Sequence, residues 1–214
     1  MRHILIILIS ILLLSSPLFG QSNTKQWTKQ LGTSSDDIGR GVTTDPSGNI
    51  YMTGFTKGGL DGNTNSGRKD IFLVKYNSSG TKQWTKQLGT SSWDEGKDVT
   101  TDSSGNIYVT GFNEGELDGN TNYGSDCKHP PKVMGLPSNP PCSDIFLVKY
   151  NSSGTKQWTK QLGTSSVDKG RGVTTDSSDN IYVTGGTDGD LDGNTNSGSV
   201  DIFLVKYNSD GVKQ

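Results

Sequence analysis

Four short stretches of apolar or alternating residues recur in a fixed order along the chain. The first copy reads GVTTD at 41–45, NIYMTGF at 49–55, DIFLVKYN at 70–77 and TKQWTKQLG at 81–89. Gly-containing turns, PSG and SSG, join the first pair and the last pair, as expected for antiparallel hairpins. The run IFLV is apolar on both faces, which is typical of a strand between two neighbouring sheets, whereas WTKQL alternates as an outer strand does. The pattern predicts a small four-stranded antiparallel sheet.

The same four stretches occur three times with few substitutions. Trp27, Trp84 and Trp158 mark equivalent positions, and only the second copy contains additional residues. A repeat of this length with four strands is the size of a β-propeller blade, and is long for one coil of a β-helix. The sequence therefore predicts an all-β, β-propeller-type protein of three four-stranded antiparallel blades, forming a partial or oligomer-completed propeller. The predicted units are residues 24–80, residues 81–154 with an insertion at 127–142, residues 155–211, and residues 212–214 as the start of a fourth repeat.

Composition favours a folded chain over a disordered one. The chain has 214 residues, 29 glycines and 29% apolar residues, but its formal net charge is only -2 and the apolar residues are clustered. There is no basic surplus of the kind that nucleic-acid-binding domains carry, so nucleic acid is not an expected partner.

Residues 1–20 have the features of a secretory signal peptide. Arg2 precedes an apolar run from Ile4 to Leu14, and Gly20 is a small residue before the predicted cleavage site. The alternative is a membrane anchor, but the run is shorter than the roughly 20 residues that span a bilayer. We therefore expect a cleaved leader, no membrane span after cleavage, and a protein that is secreted or held in the cell envelope.

The stretches VTTDSSGNIYVTG at 99–111 and DIFLVKYNSSGTKQW at 144–158 resemble the bacterial seven-bladed β-propeller repeat known as SBBP. The resemblance covers nearly all of the chain after the leader, three times over. It implies a propeller in an exported bacterial protein. It implies no particular activity, because one fold serves many functions.

Three blades are fewer than the roughly four to eight of a typical propeller. The first repeat begins with an outer strand and the last one stops after its third strand, so the first strand could complete the last sheet. Three outcomes stay open: a truncated copy of a longer protein, an open three-blade arc, or self-association, for example two chains giving six blades. An open arc would expose apolar sheet faces and strand edges.

The three copies differ mainly at four places on one rim of the predicted blades. Because binding loops commonly project from a rigid scaffold, this rim is the predicted binding face, and the alternative is that loops simply diverge faster than strands. The opposite rim carries the constant turns TDxSxN and YNSxG. The variable positions are Asp36, Trp93 and Val167; Ile38, Glu95 and Lys169; Lys57, Glu114 and Asp188; and the insertion.

The sequence LDGNTN lies on the variable rim in all three copies. Its alternating oxygen donors in a Gly-containing loop are typical of calcium sites, although the loop lacks the glycine position and the acidic twelfth residue of an EF-hand. The alternative is a run of Asx turns, in which Asp and Asn side chains cap their own backbone. We expect no required cofactor and, if calcium binds, a weak structural ion in each loop. The candidate ligands are Asp61, Asn63, Asn65 and Asp70 in the first loop; Asp118, Asn120, Asn122 and either Asp126 or Asp144 in the second; and Asp192, Asn194, Asn196 and Asp201 in the third.

The insertion contains the only two cysteines, Cys127 and Cys142. Two cysteines in an exported chain usually pair, and the closed loop would stabilise the fold by ~3 kcal/mol. The alternative is a metal site formed by both cysteines and His129, at a spacing unlike that of known zinc motifs. Candidate contact residues near the tip of this loop are Val133, Met134 and Leu136.

The aromatic and titratable residues favour binding over catalysis. Three tryptophans recur with the strands and are predicted to pack between blades, whereas Trp93 stands alone in a loop and is a candidate for stacking on a sugar. No Ser-His-Asp set, buried carboxylate pair or phosphate loop can be derived, and His129 is the only histidine after the leader. We therefore expect a non-catalytic exported protein whose rim binds an unidentified protein or glycan. The alternatives are a structural fragment with no activity of its own and, with less support, a hydrolase or lyase on a propeller frame.

Overall fold

The chain folds as a row of small antiparallel sheets. The computed structural model describes residues 26–124 and 142–214. Within these ranges, two sheets have four strands each and the third has three, and each sheet follows the order of the chain. The predicted all-β, propeller-type fold is confirmed. Sheet 1 comprises β1 (Asp37–Thr44), β2 (Ile50–Thr56), β3 (Asp70–Tyr76) and β4 (Lys82–Leu88); sheet 2 comprises β5 (Asp94–Thr101), β6 (Ile107–Asn113), β7 (Asp144–Tyr150) and β8 (Lys156–Leu162); sheet 3 comprises β9 (Asp168–Thr175), β10 (Ile181–Thr187) and β11 (Asp201–Tyr207).

The innermost strand of each sheet is longer than its sequence pattern indicates and contains a β-bulge. In sheet 1 the register shifts between Gly39 and Gly41, so that Arg40 is the extra residue. The neighbouring strand accommodates this with a glycine, because a Cβ at Gly54 would lie 1.9 Å from the carbonyl oxygen of Ile38. The same contact recurs at Gly111 in sheet 2. A bulge increases the local twist, which suits blades that fan around an axis.

Two apolar cores lie between neighbouring sheets. Ile71 and Leu73 of β3 belong to one core together with Phe146 and Val148 of β7. Ile145 and Leu147 of β7, pointing the other way, belong to the second core with residues of sheet 3. Both faces of the IFLV strand of sheet 2 are therefore buried, as the sequence predicts.

The tryptophans of β4 and β8 pack at the edges of these cores. The ring of Trp84 lies 6.1 Å from that of Tyr51, and Trp158 lies at the same distance from Tyr108. Both packing predictions are confirmed. Trp27 remains 42% exposed at the outer side of sheet 1.

The third sheet ends with the beginning of a fourth strand. Lys213 forms an antiparallel bridge with Tyr207, and the Gln214 N–H donates to the carbonyl of Lys206 at 2.9 Å. Residues 26–32 do not complete this sheet within the chain. They lie instead against sheet 1, where Leu31 packs on Phe72 and Val74. The inner strands follow one another as β1, β5 and β9, so the described chain is an open row of blades.

The predicted leader, residues 1–20, lies outside the described residues. Among the residues that the structure does describe, no helix is long and apolar enough to cross a membrane. The helical content of these ranges is three single 3-10 turns, which are Leu60–Gly62, Leu117–Gly119 and Leu191–Gly193.

Candidate functional site

The strands of each sheet end on two opposite faces of the row. The cross-strand pairs Asp37 with Thr56, and Thr56 with Asp70, place the start of β1, the end of β2 and the start of β3 together. We call this side the loop face; its described segments are 33–36, 57–69, 89–93, 114–124, 163–167 and 188–200. We call the opposite side the turn face; its segments are 45–49, 77–81, 102–106, 151–155, 176–180 and 208–212. Six of the variable positions within the described residues lie on the loop face: Asp36, Trp93, Val167, Lys57, Glu114 and Asp188. The other three, Ile38, Glu95 and Lys169, are not in a link between strands but are the second residues of β1, β5 and β9, next to that face.

The turn face is a set of repeated hydrogen-bond networks. Asp102 accepts hydrogen bonds from the backbone N–H groups of Ser104 and Asn106, the Asn106 side chain and the Tyr108 hydroxyl, at 2.8–3.0 Å. Asp45 and Asp176 have the same partners in their own repeats. These bonds, led by that of Asn180, hold the pKa of Asp176 at about 2. The hydrogen-bond networks of the turn face therefore stabilise the hairpin turns in every repeat.

On the loop face, two of the variable positions are direct neighbours in each blade. The N–H of Lys57 donates to the carbonyl of Asp36 at 2.9 Å, and Glu114 donates likewise to Trp93 at 3.0 Å. The third blade repeats this contact. In the first blade an ion pair at 2.6 Å also joins the Lys57 and Asp36 side chains. The backbone scaffold is therefore constant while the side chains it presents change.

Trp93 stands over the junction of sheets 1 and 2 and is 41% exposed. The ammonium group of Lys69 lies 4.8 Å from the Trp93 ring and 4.1 Å from the Phe55 ring. Lys69 also pairs with Glu95 at 2.5 Å, and Lys97 pairs with the other carboxylate oxygen of Glu95. Although burial raises the pKa of Glu95, these two cations lower it below its usual range. The exposed indole of Trp93 thus contacts Lys69, whose position is held by its ion pair with Glu95.

Lys69 was missed by the sequence analysis. The repeats carry Ser143 and Val200 at its equivalent positions, so comparison of the three copies contained the signal. Its importance depends on Phe55 and Glu95, which are distant from it in sequence and meet it only in the fold.

The loop face also contains buried carboxylates. Asp70, Asp94, Asp144 and Asp168 are fully buried. Burial raises the pKa of Asp94 to about 6, against hydrogen bonds from Thr90, and neighbouring Asp70 raises it further. Burial likewise raises the pKa of Asp144 to about 6, and Asp168 adds to the effect. These mutually interacting carboxylates could not be expected from the sequence, because they meet only in the fold. Since they are inaccessible, they cannot contact a substrate, and their effect is on stability.

The LDGNTN loops adopt the turn conformation that the sequence allowed as an alternative. Asp61, at φ 54, forms an ion pair with Lys82 and accepts a hydrogen bond from the Thr85 hydroxyl, and both partners lie on β4. The Asn63 side chain donates to the carbonyl of Leu60 at 2.7 Å, and the Asn65 side chain accepts from Gly67 at 3.0 Å. The other loops repeat most of these contacts: Asp118 pairs with Lys156, Asp192 pairs with Lys213, Asn120 and Asn194 cap Leu117 and Leu191, and Asn122 and Asn196 accept from Gly124 and Gly198.

The carboxylates that end these loops are engaged by the backbone of the loops themselves. Asp70 and its equivalents Asp144 and Asp201 accept backbone hydrogen bonds from the loop that precedes them. Among the described residues there is no group of three or more His, Cys, Asp or Glu side chains that could hold a metal ion, and Asp126 lies outside them. Calcium binding stays a prediction. Isothermal titration of the chelator-treated chain with millimolar calcium checks it, and the absence of heat would contradict it.

Most of the insertion lies outside the described residues, including Cys127, Val133, Met134 and Leu136. Cys142 is buried, is not a free thiol, and donates its N–H to the carbonyl of Gly124 at 2.9 Å. The pairing of Cys127 with Cys142 and the contact role of the loop tip stay predictions.

Three regions of the chain match the family model of the SBBP β-propeller repeat: residues 26–61, 83–111 and 157–192. The chain is also similar to an uncharacterized WD repeat-containing protein, L264, of Acanthamoeba polyphaga mimivirus, with 30% identity over 86% of this chain and 15% of that protein. It is 26% identical to the regulatory protein FlaEY of Caulobacter vibrioides, over 82% of this chain and 18% of that protein. The chain thus spans less than a fifth of either relative. The matches and the fold agree that this chain is built from three SBBP β-propeller repeats.

Proposed function

We propose that this chain is an exported, non-catalytic interaction scaffold whose loop face binds a protein or a glycan. The observation that carries the proposal is that the loop face keeps the same backbone hydrogen bonds in every blade while the side chains on it differ. Equivalent backbone hydrogen bonds hold variable residues in all three blades, and these residues include Trp93, whose indole is 41% exposed. A rigid scaffold that presents different side chains is the usual design of a binding surface.

The fold and the comparisons support the scaffold role in general terms. Repeat proteins of this kind commonly present extended binding surfaces. Export is proposed from the leader-like residues 1–20. The absence of catalysis is proposed because the sequence contains no derivable set of nucleophile and base, and because Asp94, Asp144 and Asp168, whose pKa values are raised by burial, are shielded from a substrate.

Trp93 is the proposed contact residue because its setting suits a sugar or an aromatic protein side chain. An indole that is held in place loses little conformational entropy on binding, and its ring face can stack on a sugar ring. Lys69 and Glu95 beside it add a charged group of each sign at the same junction.

A screen of the leader-free chain on glycan and extracellular-protein arrays tests this proposal. Trp93→Val, which installs the residue present at Val167, is expected to weaken the detected binding by about tenfold or more. The matched control is Ser79→Asp on the turn face, which installs the residue present at Asp210 and should leave binding unchanged. If Trp93→Val and deletion of 127–142 both leave every detected interaction unchanged, the loop face is not the binding surface. If no array component binds, the alternative of a structural unit without its own activity is favoured.

A further inference from the structure

The junction of sheets 1 and 2 differs from the junction of sheets 2 and 3 in its charged and aromatic side chains. Arg68 and Lys69 end the link from β2 to β3, and Trp93 ends the link from β4 to β5. The equivalent positions at the junction of sheets 2 and 3 are Cys142, Ser143 and Val167. Both junctions lie between sheets of this chain, so the two can be compared residue by residue.

The two links that carry these residues are hydrogen-bonded to each other. The carbonyl of Ser92 accepts the N–H of Arg68 at 3.0 Å and that of Lys69 at 3.3 Å. Lys69 also forms a parallel bridge with Trp93, and its carbonyl accepts the N–H of Asp94 at 3.0 Å. Arg68 and Lys69 are therefore held beside the exposed indole, although they are distant from it in sequence.

Arg40 adds a further cation to this junction. It is the extra residue of the β1 bulge, and its guanidinium lies 5.7 Å from the centre of the Phe55 ring. The ammonium group of Lys69 lies 4.1 Å from the centre of the same ring. Arg40 and Arg68 are both exposed, and neither guanidinium has a carboxylate within ion-pair distance among the residues that the structure describes. Both are therefore available to an anionic ligand.

The acidic side chains at this junction are fewer than the cations. Burial raises the pKa of Glu114, and neighbouring Asp94 raises it further. The positive charges that act against this rise belong to Lys169, Arg68 and Lys69. The nearby cations are Arg40, Arg68, Lys69, Lys97 and Lys169, and the nearby carboxylates are Glu95, Glu114 and the fully buried Asp94. Positive charge is thus in excess beside Trp93, in a chain whose formal net charge is -2.

We propose that the loop face binds an acidic glycan at this junction, an inference that rests on the binding role proposed above and names its ligand class. One sugar ring stacks on Trp93. Its acidic group, or that of the next sugar, is bound by Arg68 and Arg40. Arginine can bind an oxyanion through two parallel N–H groups, and such bonds are stronger than those between neutral groups.

The geometry favours an acidic sugar over an acidic peptide. An acidic sugar carries its anionic group on the ring or directly beside it, so a stacked ring brings a negative charge close to the stacking surface. Positive charge lies at that position here, because the ammonium group of Lys69 is 4.8 Å from the centre of the Trp93 ring. The side chains of Asp and Glu carry a charge but no ring that would cover the 41% exposed indole.

The test is the binding of the leader-free chain to glycans that are matched except for their charge. The first pair is oligogalacturonic acid and its methyl ester, and the second pair is dextran sulfate and dextran; both are measured by isothermal titration at low salt. At least one acidic form is expected to bind about tenfold more tightly than its neutral partner, and the two pairs distinguish a carboxylate from a sulfate. Poly-glutamate is the acidic peptide probe.

Substitutions at the junction locate the site. Arg68→Ser, which installs the residue present at Ser199, should weaken the binding of the acidic glycan by about tenfold, and Trp93→Val should weaken it similarly. The matched control is Lys160→Ser on the outermost strand of sheet 2, which removes the same charge away from the junction. Its affinity should stay within about twofold of the parent, since distant exposed charges are screened.

Equal affinity for the acidic and neutral forms, or tighter binding of poly-glutamate than of either acidic glycan, would overturn the proposal but leave the loop face as a binding surface. Failure of both acidic glycans to bind would also overturn it, while the array screen decides separately whether the loop face binds another ligand. Acidic-glycan binding that survives either Arg68→Ser or Trp93→Val would contradict the proposed arrangement. Survival in both variants would contradict the loop-face site as well.

Discussion

The turn face and the loop face are built by the same eleven strands but differ in what their residues do. On the turn face, Asp45, Asp102 and Asp176 each hold one network of backbone, amide and hydroxyl donors, with the same partners each time. On the loop face, equivalent positions carry Asp36, Trp93 or Val167 on an unchanged backbone bond. The difference shows that the turn-face hydrogen-bond networks are kept in every repeat, while the side chains presented on the loop face change.

The largest effect is expected from breaking a turn-face network. Asp102→Ala removes the acceptor of four hydrogen bonds and leaves the buried Tyr108 hydroxyl without its partner. We expect the free energy of unfolding to fall by about 3 kcal/mol, since unsatisfied buried donors are costly. Urea denaturation measures this. A loss under about 0.5 kcal/mol would mean that the network does not stabilise the fold.

The second effect concerns pH, and the buried carboxylates Asp94 and Asp144 should respond in the opposite direction to Asp45 of the turn face. The folded pKa of Asp94 and Asp144 is raised to about 6, so the folded state binds more protons than the unfolded one above their ordinary value of 3.8. Their contribution to stability is present at low pH and is lost as the pH rises through about 6. Asp45, whose pKa is lowered by Asn49 and Tyr51 despite burial, contributes stability at high pH that is lost as the pH falls through its folded pKa.

Urea midpoints measured from about pH 4 to about pH 7 report on Asp94 and Asp144, because Asp45, with a pKa below its ordinary value of 3.8, stays ionised across this range. In the Asp94→Asn variant, the decline in stability across this range should be smaller than in the parent chain, because the neutral amide keeps an acceptor for Thr90 without the charge. An identical pH profile in parent and variant would show that Asp94 is not responsible.

A smaller effect is expected at the junction beneath Trp93. Lys69→Ser, which installs the residue present at Ser143, leaves Glu95 with Lys97 as its remaining ion-pair partner. We expect the free energy of unfolding to fall by about 1 kcal/mol. We also expect acrylamide to quench tryptophan fluorescence more strongly, because Trp93 loses its contact with Lys69. Comparison with Lys69→Ser in a Trp93→Val background assigns the fluorescence change. Equal quenching with and without Trp93 would contradict the contact.

The smallest effect is expected at Asp36, the loop-face counterpart to the Asp102 substitution. Asp36→Val installs the residue present at Val167 and removes an exposed ion pair with Lys57. Exposed pairs contribute little, so the unfolding free energy should change by less than about 0.5 kcal/mol. A loss as large as that of Asp102→Ala would remove the distinction between the two faces.

The strands could be predicted because their evidence is local. IFLVKY and NIYMTG carry their own periodicity, and each hairpin carries its own turn residues. The start of β1 at Asp37 could not be read in this way, because the bulge at Arg40 breaks the alternation across DIGRG. The pairing of Asp61 was equally inaccessible, since it depends on where Lys82 of β4 reaches in the fold. The raised pKa of Asp94 likewise needs burial and Asp70, which only the fold brings together.

Hydrogen exchange of the chain in complex with its strongest binder from the array screen tests the division between the faces most directly. The account predicts that protection gained on binding is confined to loop-face segments, centred on 89–93 and 114–124. It predicts no change at the turn-face segments 45–49 and 102–106, whose amides are engaged in every repeat. Protection gained at the turn face with none at Trp93 would contradict the account.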